Sequence, residues 1–196
     1  MSDKKGREKL FGRYHDLVIL LFGFILTTLV GGFLAQSWQN RSARIARETE
    51  QKRVEQRAAT QVFEELSHIM DKRLYRMRRV HNGLGGNLSK ERMSARWESY
   101  REVLFEWNEN LNRNLALVQR YFGDDARNVL EHKIQAQFID LGRLLEGGPY
   151  PENIKSKYAH RQSVADELND VIYQFDIALI SDIQSGNIGS FRGLKQ

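Results

Sequence analysis

Apolar positions along this chain follow two regimes: one unbroken run near the start, then a series of stripes at three- and four-residue steps. The run is LVILLFGFILTTLVGGFLA, residues 17–35, and none of its nineteen positions is charged. At 1.5 Å per residue a helix of that length covers about 28 Å, close to the roughly 30 Å hydrocarbon layer of a bilayer. It predicts a single transmembrane helix. A cleavable signal peptide fits less well, because its apolar region spans about 7–15 residues and its cleavage site has small side chains at −3 and −1. Cutting after Ala35 would leave Phe33 at −3, so an uncleaved anchor is expected.

Neither Gly nor Pro occurs from Gln36 to His81, which predicts one long helix leaving the membrane. Residues 36–60 carry few large apolar side chains and read as a solvated stalk. A stripe then begins: Phe63, Leu66, Met70, Leu74, Met77, Val80 and Leu84, ending at the break Asn82-Gly-Leu-Gly-Gly-Asn87. Three further amphipathic helices are expected. The helix at 89–122, with Ser89 as N-cap, buries Met93, Trp97, Tyr100, Leu104, Trp107, Leu111, Leu115, Val118 and Phe122. The helix at 124–146 follows the stop at Gly123, opens on Asp124-Asp125, and buries Leu130, Ile134, Phe138, Leu141 and Leu145. The helix at 151–185 starts at Pro151 after Gly147-Gly148 and buries Ile154, Tyr158, Ala165, Leu168, Ile172, Phe175, Leu179 and Ile183. Residues 186–196 read as a flexible tail.

The expected fold class is therefore all-α: a transmembrane helix, a stalk, and an antiparallel up-down-up-down four-helix bundle over residues 61–185, its first helix at 61–82. Composition agrees. Only two prolines occur in 196 residues, both in Pro149-Tyr-Pro151, and the absence of cysteine removes disulfides, thiolate metal sites and a Cys nucleophile.

Charge adds orientation. Residues 1–16 hold Lys4, Lys5, Arg7, Lys9 and Arg13, against Arg41, Arg44 and Arg47 just after the span. A short basic tail translocates poorly, whereas a long domain crosses regardless of its charge. The N-terminus is expected in the cytoplasm and the large domain outside, periplasmic if the membrane is an inner cell membrane. A near tie in charge leaves open a basic collar after Trp38 that lies on the cytoplasmic face against anionic lipid. Residues 1–82 are net +7 and residues 83–196 net −2. Within the basic half, Lys72, Arg73, Arg76, Arg78 and Arg79 form a dense patch that fits an anionic ligand or partner, or the acidic fourth helix of the same chain.

Motifs for chemistry are scarce. Glu65 and His68 have the Glu-x-x-His spacing of di-iron bundles, but no second copy exists, so no metal and no cofactor are expected. There is no Gly-x-Ser-x-Gly, phosphate loop or HExxH, and no enzyme activity is expected. Nucleic acid is not expected as a partner, and no small-molecule substrate is indicated. The two remaining function classes are a membrane-anchored accessory or scaffold subunit and an extracytoplasmic four-helix-bundle sensor that passes a signal to a partner. The best contact surface for a membrane protein partner or a second copy is a row of small residues in the span, Gly23, Thr27, Gly31 and Ala35. Neighbouring rows such as Leu17-Leu21-Ile25-Leu29-Phe33 are entirely large, and small rows let membrane helices approach closely.

Overall fold

The computed structural model of this chain describes residues 4–86, 88–146, 154–189, 191, 193 and 194, with side chains in the first helix from Leu20 onward and in the last from Tyr158 onward. The break at Gly147-Gly148, the start at Pro151 and the side chains of the basic N-terminal tail lie outside the described residues. Helix α1 spans Lys4–Leu84, α2 spans Lys90–Phe122 and α3 spans Asp124–Val129. A π-helical turn, Leu130–Ile134, leads into α4, Gln135–Glu146, and α5 spans Ile154–Ser185. Among the described residues there is no strand, and the all-helical class holds.

Two units divide the chain, residues 1–51 and 52–196. In the first, every described side chain from Leu20 to Gln51 is exposed, including Leu20, Phe22, Phe24, Leu29, Phe33 and Trp38. That unit has no core of its own among the described residues.

The second unit has one hydrophobic core to which every helix contributes. The α1 segment supplies Ala59, Leu66, Met70, Leu74, Met77 and Val80, and α2 supplies Tyr100, Val103, Trp107, Leu115, Val118 and Phe122. From α5 come Ala165, Leu168, Ile172, Phe175 and Leu179. Each large side chain fully buried in this way stabilises the fold by about 1.5–3 kcal/mol. Polar contacts tie the helices at their rims. Gln56 donates to the Ile183 carbonyl at 2.6 Å and the Ser67 hydroxyl to Asp176 at 2.7 Å, while His81 stacks on Tyr158 with ring centroids 4.2 Å apart.

Local signals set the helix ends. The Ser89 hydroxyl accepts from the Arg92 amide at 3.4 Å, capping α2. Gly123 adopts φ 95° and serves both sides of the corner: its amide donates to the Gln119 carbonyl, and its carbonyl accepts from the Arg127 amide. Any other residue there would be strained, and a Cβ would lie 3.1 Å from the Gly189 carbonyl oxygen.

Between α3 and α4 the π turn answers a mismatch in the sequence. Buried Ala126, Leu130, Ile134 and Phe138 are each four residues apart, and every such step overshoots a 3.6-residue turn by about 40°. A wider turn in the middle brings the drifting stripe back to the core.

The tail departs from the looseness expected of it. Gly189 donates to the Tyr121 carbonyl at 2.7 Å and Phe191 to the Phe122 carbonyl at 3.3 Å, orphan acceptors at the end of α2. Phe191 is buried edge-on against Phe175, with ring centroids 5.7 Å apart. An aromatic anchor with carbonyls to bond overrides the flexibility of its glycine neighbours.

Candidate functional site

The apolar stretch of α1 is the one helix among the described residues long and apolar enough to cross a membrane; its most apolar window has a mean hydropathy of 1.7, with none of it buried inside the protein. Along it the small row is open: a Cβ added at Gly23, Gly31 or Gly32 would meet nothing within 4 Å. The two threonines leave no unpaired donor on this surface. Thr27 Oγ1 donates to the Gly23 carbonyl at 2.7 Å and Thr28 Oγ1 to the Phe24 carbonyl at 2.8 Å. Hydroxyls satisfied within the helix can lie in hydrocarbon without an orphaned polar group. Gly23, Thr27, Gly31 and Ala35 thus present a shallow face flanked by exposed Phe22, Phe24, Val30 and Leu34.

The five residues of the basic patch do not share one surface. Lys72 donates to Glu106 of α2 at 2.7 Å, and Arg78 pairs with Asp166 of α5 at 2.9 Å while also donating to the Ala165 carbonyl. Both pairs are partly exposed and contribute no more than about 1 kcal/mol each. Arg76 and Arg79 flank Tyr75, each guanidinium carbon 5.9 Å from the ring centroid.

Arg73 corrects the patch outright: it is only 2% exposed and cannot meet an external anion. Its guanidinium lies 4.3 Å above the Phe138 ring and 5.3 Å from Trp107, and it donates to Gln135 Oε1 at 3.3 Å. The same Gln135 oxygen accepts from Trp107 Nε1 at 2.7 Å. Burial lowers the Arg73 pKa to about 10, with Tyr100 beside it acting in the opposite direction, so the group remains a cation at neutral pH. No carboxylate pairs with it among the described residues. Aromatic faces and one amide therefore take the place of a counter-ion. Sequence reasoning missed Gln135 and Tyr100 as partners of this cation. Gln135 follows directly on the π turn, which a regular 3.6-residue projection does not represent.

Other charged positions have ordinary partners. Glu65 accepts from Gln61 at 2.9 Å and pairs with Arg113 at 3.1 Å, while His68 is exposed. No group of three or more His, Asp or Glu placed to hold a metal occurs among the described residues.

Asp176 is the acid most affected by its surroundings. Burial pushes its carboxyl from 3.8 up to about 6; the Ser67 hydrogen bond opposes this and nearby Asp71 adds to it. Oδ1 is buried with no partner. Because the folded state holds the proton more tightly than the unfolded chain, stability falls as pH rises from about 4 to about 6 and stays lower above that. A shift of two units corresponds to about 3 kcal/mol; partial exposure reduces this to about 1–2 kcal/mol. Asp176→Asn is expected to be more stable than the parent by that amount at pH 7.5 and no more stable at pH 4, measured by denaturant unfolding. An equal difference at both pH values would refute the assignment.

Fold and surface together define, among the described residues, an all-helical protein with one candidate membrane-spanning helix. No protein-family model, curated protein or solved structure matches the chain.

Proposed function

We propose that this chain is a non-enzymatic, single-pass membrane protein: a structural or accessory subunit that associates with a membrane partner, or with itself, through the row Gly23, Thr27, Gly31 and Ala35. The reading places residues 17–35 in a cell membrane, the N-terminus in the cytoplasm, and an antiparallel four-helix bundle on the outer side. One observation carries it. The most apolar stretch of α1 has none of its surface buried by the protein itself. Leaving that much apolar surface in water is strongly unfavourable, and a bilayer is the environment that removes it from water along its whole length. The shared core of α1, α2, α4 and α5 supports the bundle, and the internally bonded threonines support the row as a packing face.

The test is a pair of measurements on the full-length protein. In a membrane two-hybrid assay, Gly31→Leu and Gly23→Leu are expected to lower association by about tenfold, since one bulky side chain holds the backbones apart. Insertion and expression should persist, and unchanged association would remove the row from the account. Protease added to intact spheroplasts should digest the bundle, whereas protection until lysis would reverse the orientation. The unbroken course of α1 over Lys4–Leu84 favours a second reading, a sensor whose helix shift is read by a partner. A stoichiometric membrane partner that co-purifies in mild detergent supports the accessory reading over the sensor.

A further inference from the structure

Where the end of α1 meets the beginning of α2, the surface holds a cleft of about 370 Å³ lined by Arg79, Leu88, Arg92, Ala95, Arg96 and Ser99. Three of the six lining residues are arginines and none is acidic. Arg92, Ala95, Arg96 and Ser99 share one face of α2 by their three- and four-residue spacing, and Arg79 faces them from α1. The guanidinium of Arg96 is held in place. Its Nη1 donates to the Arg79 carbonyl at 2.7 Å, and the space it occupies exists because residue 83 is glycine: a Cβ there would lie 3.1 Å from that nitrogen.

None of these arginines pairs with a carboxylate among the described residues, unlike Lys72 and Arg78 a few positions earlier. Glu91, the acid nearest in sequence on α2, is engaged at the helix cap, where its own backbone amide and then Ser89 hold its carboxyl below the usual value. Three like charges lining one cleft repel one another, and holding them together without a counter-ion disfavours the folded arrangement. Guanidinium groups present paired N–H donors at the spacing of phosphate oxygens, Ser99 adds a hydroxyl, and Leu88 and Ala95 give an apolar wall. The volume suits a small ligand.

We infer that this cleft binds a phosphate group, with Arg79, Arg92 and Arg96 as its ligands. The inference stands on the second unit alone and does not depend on how the membrane helix associates. A free phosphorylated compound offers this chemistry.

The test uses the full-length protein in a nonionic detergent, with inorganic phosphate titrated against chloride at constant ionic strength and the melting temperature read out. Phosphate is expected to give a saturable rise that chloride does not. Arg92→Gln and Arg96→Gln should each weaken the apparent affinity at least fivefold. Arg92→Gln is the cleaner variant, because that side chain is exposed and its loss leaves the fold intact. Arg120→Gln, remote from the cleft, should behave as the parent. Equal responses to phosphate and chloride, or parental affinity in both cleft variants, would overturn the proposal.

Discussion

Trp107→Ala is expected to destabilise the protein by about 4 kcal/mol, the middle of the range for removing a large buried aromatic side chain. Trp107 is completely buried, at 0% exposure, and its ring packs against Phe138 with centroids 5.4 Å apart. It also orders its surroundings. Its indole nitrogen donates to Gln135 Oε1, and its ring is one of the two aromatic faces against Arg73. Alanine would leave a cavity beside a buried cation that has lost part of its compensation, and the two costs are not separable by single substitution. A domain of this size has a total stability on the order of 5–15 kcal/mol, so the variant should unfold at a much lower denaturant concentration. Circular dichroism of the full chain in mild detergent measures this. A loss below about 1 kcal/mol would mean that the indole is not at the centre of the core.

The second large effect separates the charge of Arg73 from its bulk. Arg73→Ala is expected to lose about 3 kcal/mol or more, because the side chain fills space between Trp107 and Phe138. Arg73→Met should retain most of that packing and be within about 1 kcal/mol of the parent. It removes a buried charge whose desolvation no carboxylate among the described residues offsets, so the change can be neutral or stabilising. Denaturant midpoints of the two variants decide the matter. If methionine proves as costly as alanine, the stacking of the cation and its bond to Gln135 outweigh packing.

Much of the helical plan was legible in the residues, and the exceptions have physical causes. Stripes at three- and four-residue steps marked the buried faces, Ser89 announced a cap, and Gly123 a corner, because each depends on local backbone chemistry alone. Arg73 was misread for a reason that can be named. It lies three residues after Met70 and four before Met77, on the buried stripe itself, but its basic neighbours suggested a solvated surface. Position within the period was the better guide than residue type. The phosphate cleft was hidden differently: Arg79 belonged to a conspicuous run, while Arg92 and Arg96 stand apart in sequence and meet it only after the chain turns between α1 and α2. The run of four-residue steps from Ala126 to Phe138 did signal the π turn, though only to a reader who counts angles rather than apolar residues.

The tail clamp bears on the order in which the protein is made. Gly189 and Phe191 complete the hydrogen bonding of Tyr121 and Phe122, so the corner at Gly123 acquires its last partners from residues synthesised long after it. During translation α1, α2 and α3 emerge with the end of α2 uncovered and the site for Phe191 vacant. Such distant contacts form late because a long loop must close first. Final consolidation of this corner therefore waits until Gly189 and Phe191 have been made, leaving the nascent chain an interval in which another protein has access to the end of α2.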